Sequence, residues 1–289
     1  MSRLWLPHGD ATSSALREPS RLSGGKPEGL AVRLNQSNKF AQGLVGCYMF
    51  GSYVNLADPT NSLTEPAGWY GGEFFVDEYG TSVDYGEDGK ALTGISPIAG
   101  FCAFAIVKVP IANDFRHECL GVYDNTSHYF SLGYHHSLGT KYIKLRYGAV
   151  SKEVVSPASV GDRTSIAVMH TSDGATGQLY ENGAPAGTTF SVESIDSGEL
   201  AIGGLYNSST SGTSEYFNSN IYYVLLWQRG ALARFSEAEM LDLHNDPYQM
   251  LTYAGAENQS LLLPTSQSGG AYEIILPGND PIARALRGG

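Results

Sequence analysis

The sequence predicts an all-β, antiparallel sandwich with one short helix late in the chain and an extended arm at each end. Three observations carry this. The 289 residues include 35 Gly and 18 Tyr but only 16% charged residues, a composition that favours strands and turns over helices. Short apolar or alternating runs recur from residue 43 onward, separated by clusters of turn formers. A single stretch, WQRGALARFSEAEMLDLHNDPYQML (227–251), carries helix punctuation at both ends.

Residues 1–39 are polar, rich in Ser, Pro and Gly, and lack sustained periodicity; they read as an N-terminal arm anchored by Leu4, Trp5, Leu6 and Leu30. GLVGCYMF (43–50) opens the strands, and NLADPTNSLTEPAG (55–68) is dense in turn formers. FCAFAIVKV (101–109) is nearly continuous in apolar residues, as expected of a strand covered on both faces. TKYIKLRY (140–147) alternates, with Ile143, Leu145 and Tyr147 on one face and Tyr142, Lys144 and Arg146 on a wet one. RTSIAVMH (163–170), GQLYENGAPAGTT (177–189), ELAIGG (199–204) and NIYYVLLWQ (220–228) continue the series to about a dozen strands. Asn182-Gly183 is a strong hairpin signal, because both residues accept positive φ. Pro185 cannot donate to a ladder and so places the following strand at an edge.

The helix is bounded by chemistry. Ser236 and Glu239 form a capping box, and Phe235 and Met240 occupy hydrophobic-staple positions. Met240, Leu241 and His244 follow helical spacing, with Leu243 beside them, and Pro247 ends the element after about nine or ten residues. A helix this short is held by packing. Trp227, Phe235, Met240 and Leu241 are the expected seam, covering one end or the back of the sandwich. Residues 252–289 hold two small apolar clusters, Leu261–Leu263 and Ile274–Leu276, among Gly, Ser and Pro, and cannot form a second core. The division is therefore an arm (1–39), a sandwich domain (40–251) and a tail (252–289).

The net charge of −11 argues against a general nucleic-acid binder. Residues 1–40 carry six bases (Arg3, Arg17, Arg21, Lys26, Arg33, Lys39) and three acids (Asp10, Glu18, Glu28), a net of +3, so the remainder carries −14. Such an arm either lies against an acidic surface or is a solvated tail. Cys47, Cys102 and Cys119 lie in or beside apolar runs without metal-ligand spacing, so buried reduced thiols and no metal or cofactor are expected. The first residues lack the apolar core of a signal peptide, and no segment approaches the roughly 18 apolar residues of a membrane span. These features imply synthesis in a reducing cytoplasm and no membrane partner.

Four stretches together resemble the concanavalin A-like, laminin G-like jelly roll: AFAIVKV (103–109); RTSIAVMHTSDGATGQLYENGAPAGTT (163–189), with Leu179, Tyr180, Asn182, Gly183 and Gly187 in the places of an L-Y-x-N-G-x-x-x-G hairpin; LAIGGLYNSS (200–209); and the closing strand and helix at 217–251. The ending, a helix running into Asn245-Asp246-Pro247-Tyr248, is similar to versions in tailed-bacteriophage structural proteins. The resemblance implies a β-sandwich virion component made in the host cytoplasm.

Chemistry was sought residue by residue. Sandwich glucanases of this superfamily use an E-x-D-x-E strand, whose alternate carboxylates share a face. Glu193, Asp196 and Glu199 are spaced by three and read instead as a solvated turn. His135 and His136 face opposite ways on a strand and do not make a metal pair. Asp173-Gly174, the one echo of a calcium loop, reads as a turn. No catalytic residue is assigned. Tyr123, Asp124, Asn125, His128, Tyr129 and Tyr134, with His135, put aromatic rings and amides in one expected hairpin, a composition that grips sugars; the alternative is a Tyr-rich cross-strand pairing.

The leading expectation is a non-enzymatic capsid decoration protein, a homo-oligomer docking on the major capsid protein or on tail or baseplate subunits. Arg3, Trp5, Leu6, Leu262, Ile274 and Ile275 are its docking candidates. The alternative is a carbohydrate-binding module for host-surface glycans, and the third reading a polysaccharide depolymerase.

Overall fold

Two antiparallel sheets stack face to face, and a short helix backs one of them. The computed structural model describes residues 32–253, except 66–71, 87–88, 99, 112–115, 123–128, 171–174, 196–197, 206–215 and 229–234. One sheet has six strands in the order β10 (Val150–Val155), β9 (Thr140–Gly148), β8 (Tyr129–Ser137), β7 (Arg116–Gly121), β14 (Ala201–Ile202) and β5 (Ala91–Leu92). The other runs β13 (Ala184–Ser191), β12 (Thr176–Glu181), β11 (Arg163–His170), β6 (Cys102–Lys108), β15 (Ile221–Trp227), β4 (Gly80–Asp84) and β3 (Glu73–Asp77), with β2 (Leu44–Met49) also paired to β15. A separate ribbon joins β1 (Val32–Leu34) to β16 (Leu251–Tyr253).

The apolar pattern of β6 explains the layering. Ala103, Ala105 and Val107 point into the core between the sheets, while Cys102, Phe104 and Ile106 point into a second apolar layer behind the larger sheet. β15 does the same with Val224 and Leu226 inward and Leu225 and Trp227 outward. A register shift between Ile221 and Tyr223 marks a bulge, which lets Tyr222 and Tyr223 both join the outer layer. A strand buried on both faces reads as continuous apolar sequence, and both segments do.

The helix α1 (Glu237–Asn245) closes that outer layer. Its capping box is present, with Ser236 Oγ accepting from the Glu239 N–H and Glu239 Oε2 accepting from the Ser236 N–H. Trp227, Phe235 and Met240 are buried as expected. Leu241 is not part of the seam: it is 48% exposed, and Leu243 is buried in its place. Met240 and Leu243, three apart, share the face turned to the sheet, and Leu241 falls off it. Val32–Leu34, within the expected arm, pairs with Leu251–Tyr253, and Leu34 is buried in the same layer.

The hairpin β12–β13 turns at Asn182 (φ +52°) and Gly183 (φ +76°), and β13, which carries Pro185, is the outermost strand of its sheet. On β9, Ile143, Leu145 and Tyr147 are buried in the core, but Lys144 on the opposite, supposedly wet face is only 2% exposed. ELAIGG yields only the two-residue β14. The hairpin β3–β4, the strand β10 and the β1–β16 ribbon lack an equally plain signal. Cys47, Cys102 and Cys119 are buried thiols outside any disulfide; burial pushes the first two up to about 12.

Candidate carbohydrate site

Of the residues expected in one hairpin, only Tyr129 and Tyr134, with His135, are described, and the two tyrosines face opposite ways. Tyr123, Asp124, Asn125 and His128 lie outside the described residues. Tyr129, at the start of β8, is half-buried, with the Arg146 guanidinium 5.4 Å from its ring centre. Tyr134, five residues on, points the other way, because side chains alternate along a strand. It is fully buried, and its hydroxyl meets Thr164 Oγ1 at 2.8 Å and donates to Glu181 Oε1 at 3.3 Å. Tyr134 therefore has no ring face to offer a ligand. His135 and His136 do oppose each other: His135 Nδ1 lies 3.1 Å from Glu153 Oε1, and His136 is buried against His117.

The docking candidates Arg3, Trp5, Leu6, Leu262, Ile274 and Ile275 also lie outside the described residues, as does Asp173-Gly174. Glu193 and Glu199 accept backbone N–H groups of Ala149 and Gly94, on no common strand. Among the described residues no cluster of three His, Cys, Asp or Glu could hold a metal.

The fold instead builds an open depression of about 360 Å³ where three connections meet. The β3–β4 turn supplies Tyr79, the loop into β11 supplies Pro157, Ala158 and Asp162, the start of β11 supplies Arg163 and Thr164, and the Asn-Gly turn supplies Asn182. Each is placed by local chemistry. Asp77 Oδ1 accepts the Tyr79 N–H, and Gly80 at φ +101° completes a turn that other residues enter with strain. Asp162 Oδ2 accepts the Ser159 N–H at 2.7 Å. Asn182 exchanges backbone and side-chain bonds with Ser165, its N–H donating to the Ser165 carbonyl and its Oδ1 accepting the Ser165 N–H.

Arg163 is held against two rings. Its guanidinium carbon is 5.1 Å from the ring centre of Tyr79 and 5.3 Å from that of Tyr222, and Nη2 donates to the Tyr248 hydroxyl at 3.4 Å. Tyr222 donates in turn to Asp77 Oδ2; burial first, then Asp77, raises its hydroxyl pKa and keeps it a donor. His244 of α1 meets Ser165 Oγ at 3.0 Å, and burial, then Arg163, lowers its pKa toward the neutral imidazole.

Behind Thr164 lies a buried network. Tyr134 bridges Thr164 to Glu181, whose Oε1 also accepts from Ser156 Oγ at 2.6 Å. Burial raises the Glu181 pKa, and the bonds from Ser156 and Tyr134 and the charge of Lys141 oppose it. Glu181 does not line the depression, so Asp162 is the carboxylate that does. The lining is thus one phenol ring, one guanidinium, one carboxylate and one carboxamide. Sugars, with apolar C–H faces and hydroxyl rims, are met by such a set. Sequence reading missed it because its members come from three separate segments, at Tyr79, Pro157–Thr164 and Asn182; only Asn182-Gly183 carried a local signal.

No protein-family model and no curated protein matches the chain. Among solved structures, domain 4 of AbnA, a GH43 extracellular arabinanase from Geobacillus stearothermophilus, in complex with arabinotriose, is similar over 70% of this chain and 98% of that one, with 14% identity and a TM-score of 0.53. A mutant of Trypanosoma rangeli sialidase displaying trans-sialidase activity is similar over 72% of this chain and 33% of its own, with 15% identity and a TM-score of 0.50. With the strand order above, these likenesses show the fold, a concanavalin A-like β-sandwich of the jelly-roll kind.

Proposed function

We propose that this sandwich is a non-catalytic carbohydrate-binding module whose site is the Tyr79–Asp162–Arg163–Asn182 depression. The observation that carries the reading is the fixed guanidinium beside an aromatic ring, a carboxylate and a carboxamide in one open hollow. A shallow site of this size accommodates one or two sugar units of a longer chain. Glycoside hydrolysis uses two carboxyl groups flanking the bond, whereas among the described residues one carboxylate lines this depression. The arabinotriose bound by domain 4 of AbnA makes arabino-oligosaccharides the first probes to offer.

The test is binding of the purified full chain to a glycan array, followed by calorimetry with arabinotriose and with the strongest array hit. Tyr79→Ala should weaken binding about tenfold, the equivalent of about 1.4 kcal/mol. Tyr129→Ala, at the originally expected hairpin, should leave it unchanged. Loss on Tyr129→Ala with Tyr79→Ala unaffected would move the site to the six-stranded sheet, and no glycan retained at all would end the carbohydrate reading.

A further inference from the structure

Sheet edges expose unpaired backbone groups, and proteins blunt them with proline, charge, bulges or short length. Of the four strands that end the two main strand orders, three are blunted. β13 carries Pro185 and Gly187 at φ +68°, β10 carries Lys152 and Glu153, and β5 has two residues. The fourth is β3, Glu-Phe-Phe-Val-Asp, paired only with β4 among the described residues. Phe74, Phe75 and Val76 are 45%, 43% and 73% exposed. Tyr53 reaches only the start of this strand, bonding Gly72 and packing on Phe74. The β3–β4 turn closes at Asp77, so by alternation Glu73, Phe75 and Asp77 bond to β4. The N–H and C=O groups of Phe74 and Val76 consequently point outward.

We infer that β3 is the docking edge for this chain's own segment Ala271–Leu276, which adds to it as a further strand. Ala-Tyr-Glu-Ile-Ile-Leu is bounded by Gly270 and by Pro277, which ends a ladder because it cannot donate. Its six residues are enough to pair along all five of β3. Alternation sets Tyr272, Ile274 and Leu276 on one face, where Phe74 and Val76 lie, and Ile275 on the other with Phe75. From Tyr253 the intervening residues span up to about 60 Å, against a body about 45 Å across. A tether of this length holds its end at an effective concentration near the millimolar range, which favours the chain's own edge over that of a second copy.

The experiment is hydrogen–deuterium exchange on the full chain, with Ile274→Asp/Ile275→Asp in the tail and, separately, Val76→Lys on the exposed edge. In the parent, peptides covering 73–77 and 271–276 are expected to be protected at every protein concentration. The tail variant should speed exchange at 73–77 at least about tenfold, and Val76→Lys should do the same at 271–276. Exchange at 73–77 unchanged by the tail variant overturns the proposal. So does protection that depends on protein concentration with a doubled native mass, which assigns the edge to a second copy.

Discussion

Gly183 is where the hairpin and the helix touch, and substituting it tests how firmly they are joined. A Cβ at Gly183 would stand 2.7 Å from Leu241 Cα and 3.0 Å from both Met240 O and His244 Cβ, in a residue at φ +76°. Two costs add in Gly183→Ala: about 1–2 kcal/mol for a left-handed alanine and about 1–3 kcal/mol for pressing on backbone that cannot rotate aside. The molecule contains its own control. Gly139 ends the β8–β9 turn at φ +77°, after Leu138 at φ +51°, and nothing lies within 4 Å of its Cβ position. Gly139→Ala therefore carries the conformational cost alone. Urea unfolding should show a lower midpoint for both at unchanged slope, with Gly183→Ala worse by about 1–3 kcal/mol. In thermal melts of a body this size the excess corresponds to about 2–4 °C per kcal/mol. Equal losses for the two variants would refute the reasoning, because they would mean that α1 yields freely and is not seated on the turn.

Leu138→Asn should stabilise the protein by about 0.5–1 kcal/mol in the same assay, since an exposed leucine at φ +51° is replaced by a residue that tolerates that conformation. Ser236→Ala removes the cap of α1 and should cost about 1 kcal/mol, with little change at the six-stranded sheet by hydrogen exchange. Burial, then His136 and His135, lowers the His117 pKa from 6.5 to about 4. Between those values the unfolded chain holds the proton that the folded one refuses, so stability should fall as pH drops from about 6.5 to about 4. His117→Gln should flatten that part of the urea-midpoint profile, and an unchanged slope would exclude His117 as its source.

The fold was legible where one period dominated. β6 and β15 read as continuous apolar runs because both of their faces are buried, and α1 announced itself through Ser236, Glu239 and Pro247. β3 escaped because Phe74-Phe75-Val76 looks like a core strand yet lies on an edge, followed by an Asp-Glu-Tyr-Gly turn that only the backbone resolves. The inward turn of Tyr134 follows from register, since His117 and Ile143 flank it on neighbouring strands. No run of sequence states which alternate residue takes the core. The depression was least legible, as its ring, cation and amide come from connections distant in the chain. Leu241 failed as a seam residue by about 100° of helical rotation, a distinction that local apolar content does not make.

The β1–β16 ribbon has a mechanical consequence. Val32 pairs with Tyr253 and Leu34 with Leu251, so the described chain begins and ends at the same end of a three-pair ladder. Tension applied at Val32 and Tyr253 opens that ladder like a zipper, one pair at a time, instead of shearing all its bonds together. Val32–Tyr253 yields first, and the sandwich behind it bears load only after the ribbon has peeled away. The ribbon is thus a mechanical fuse: it lengthens the connection under force and spares the two-sheet core.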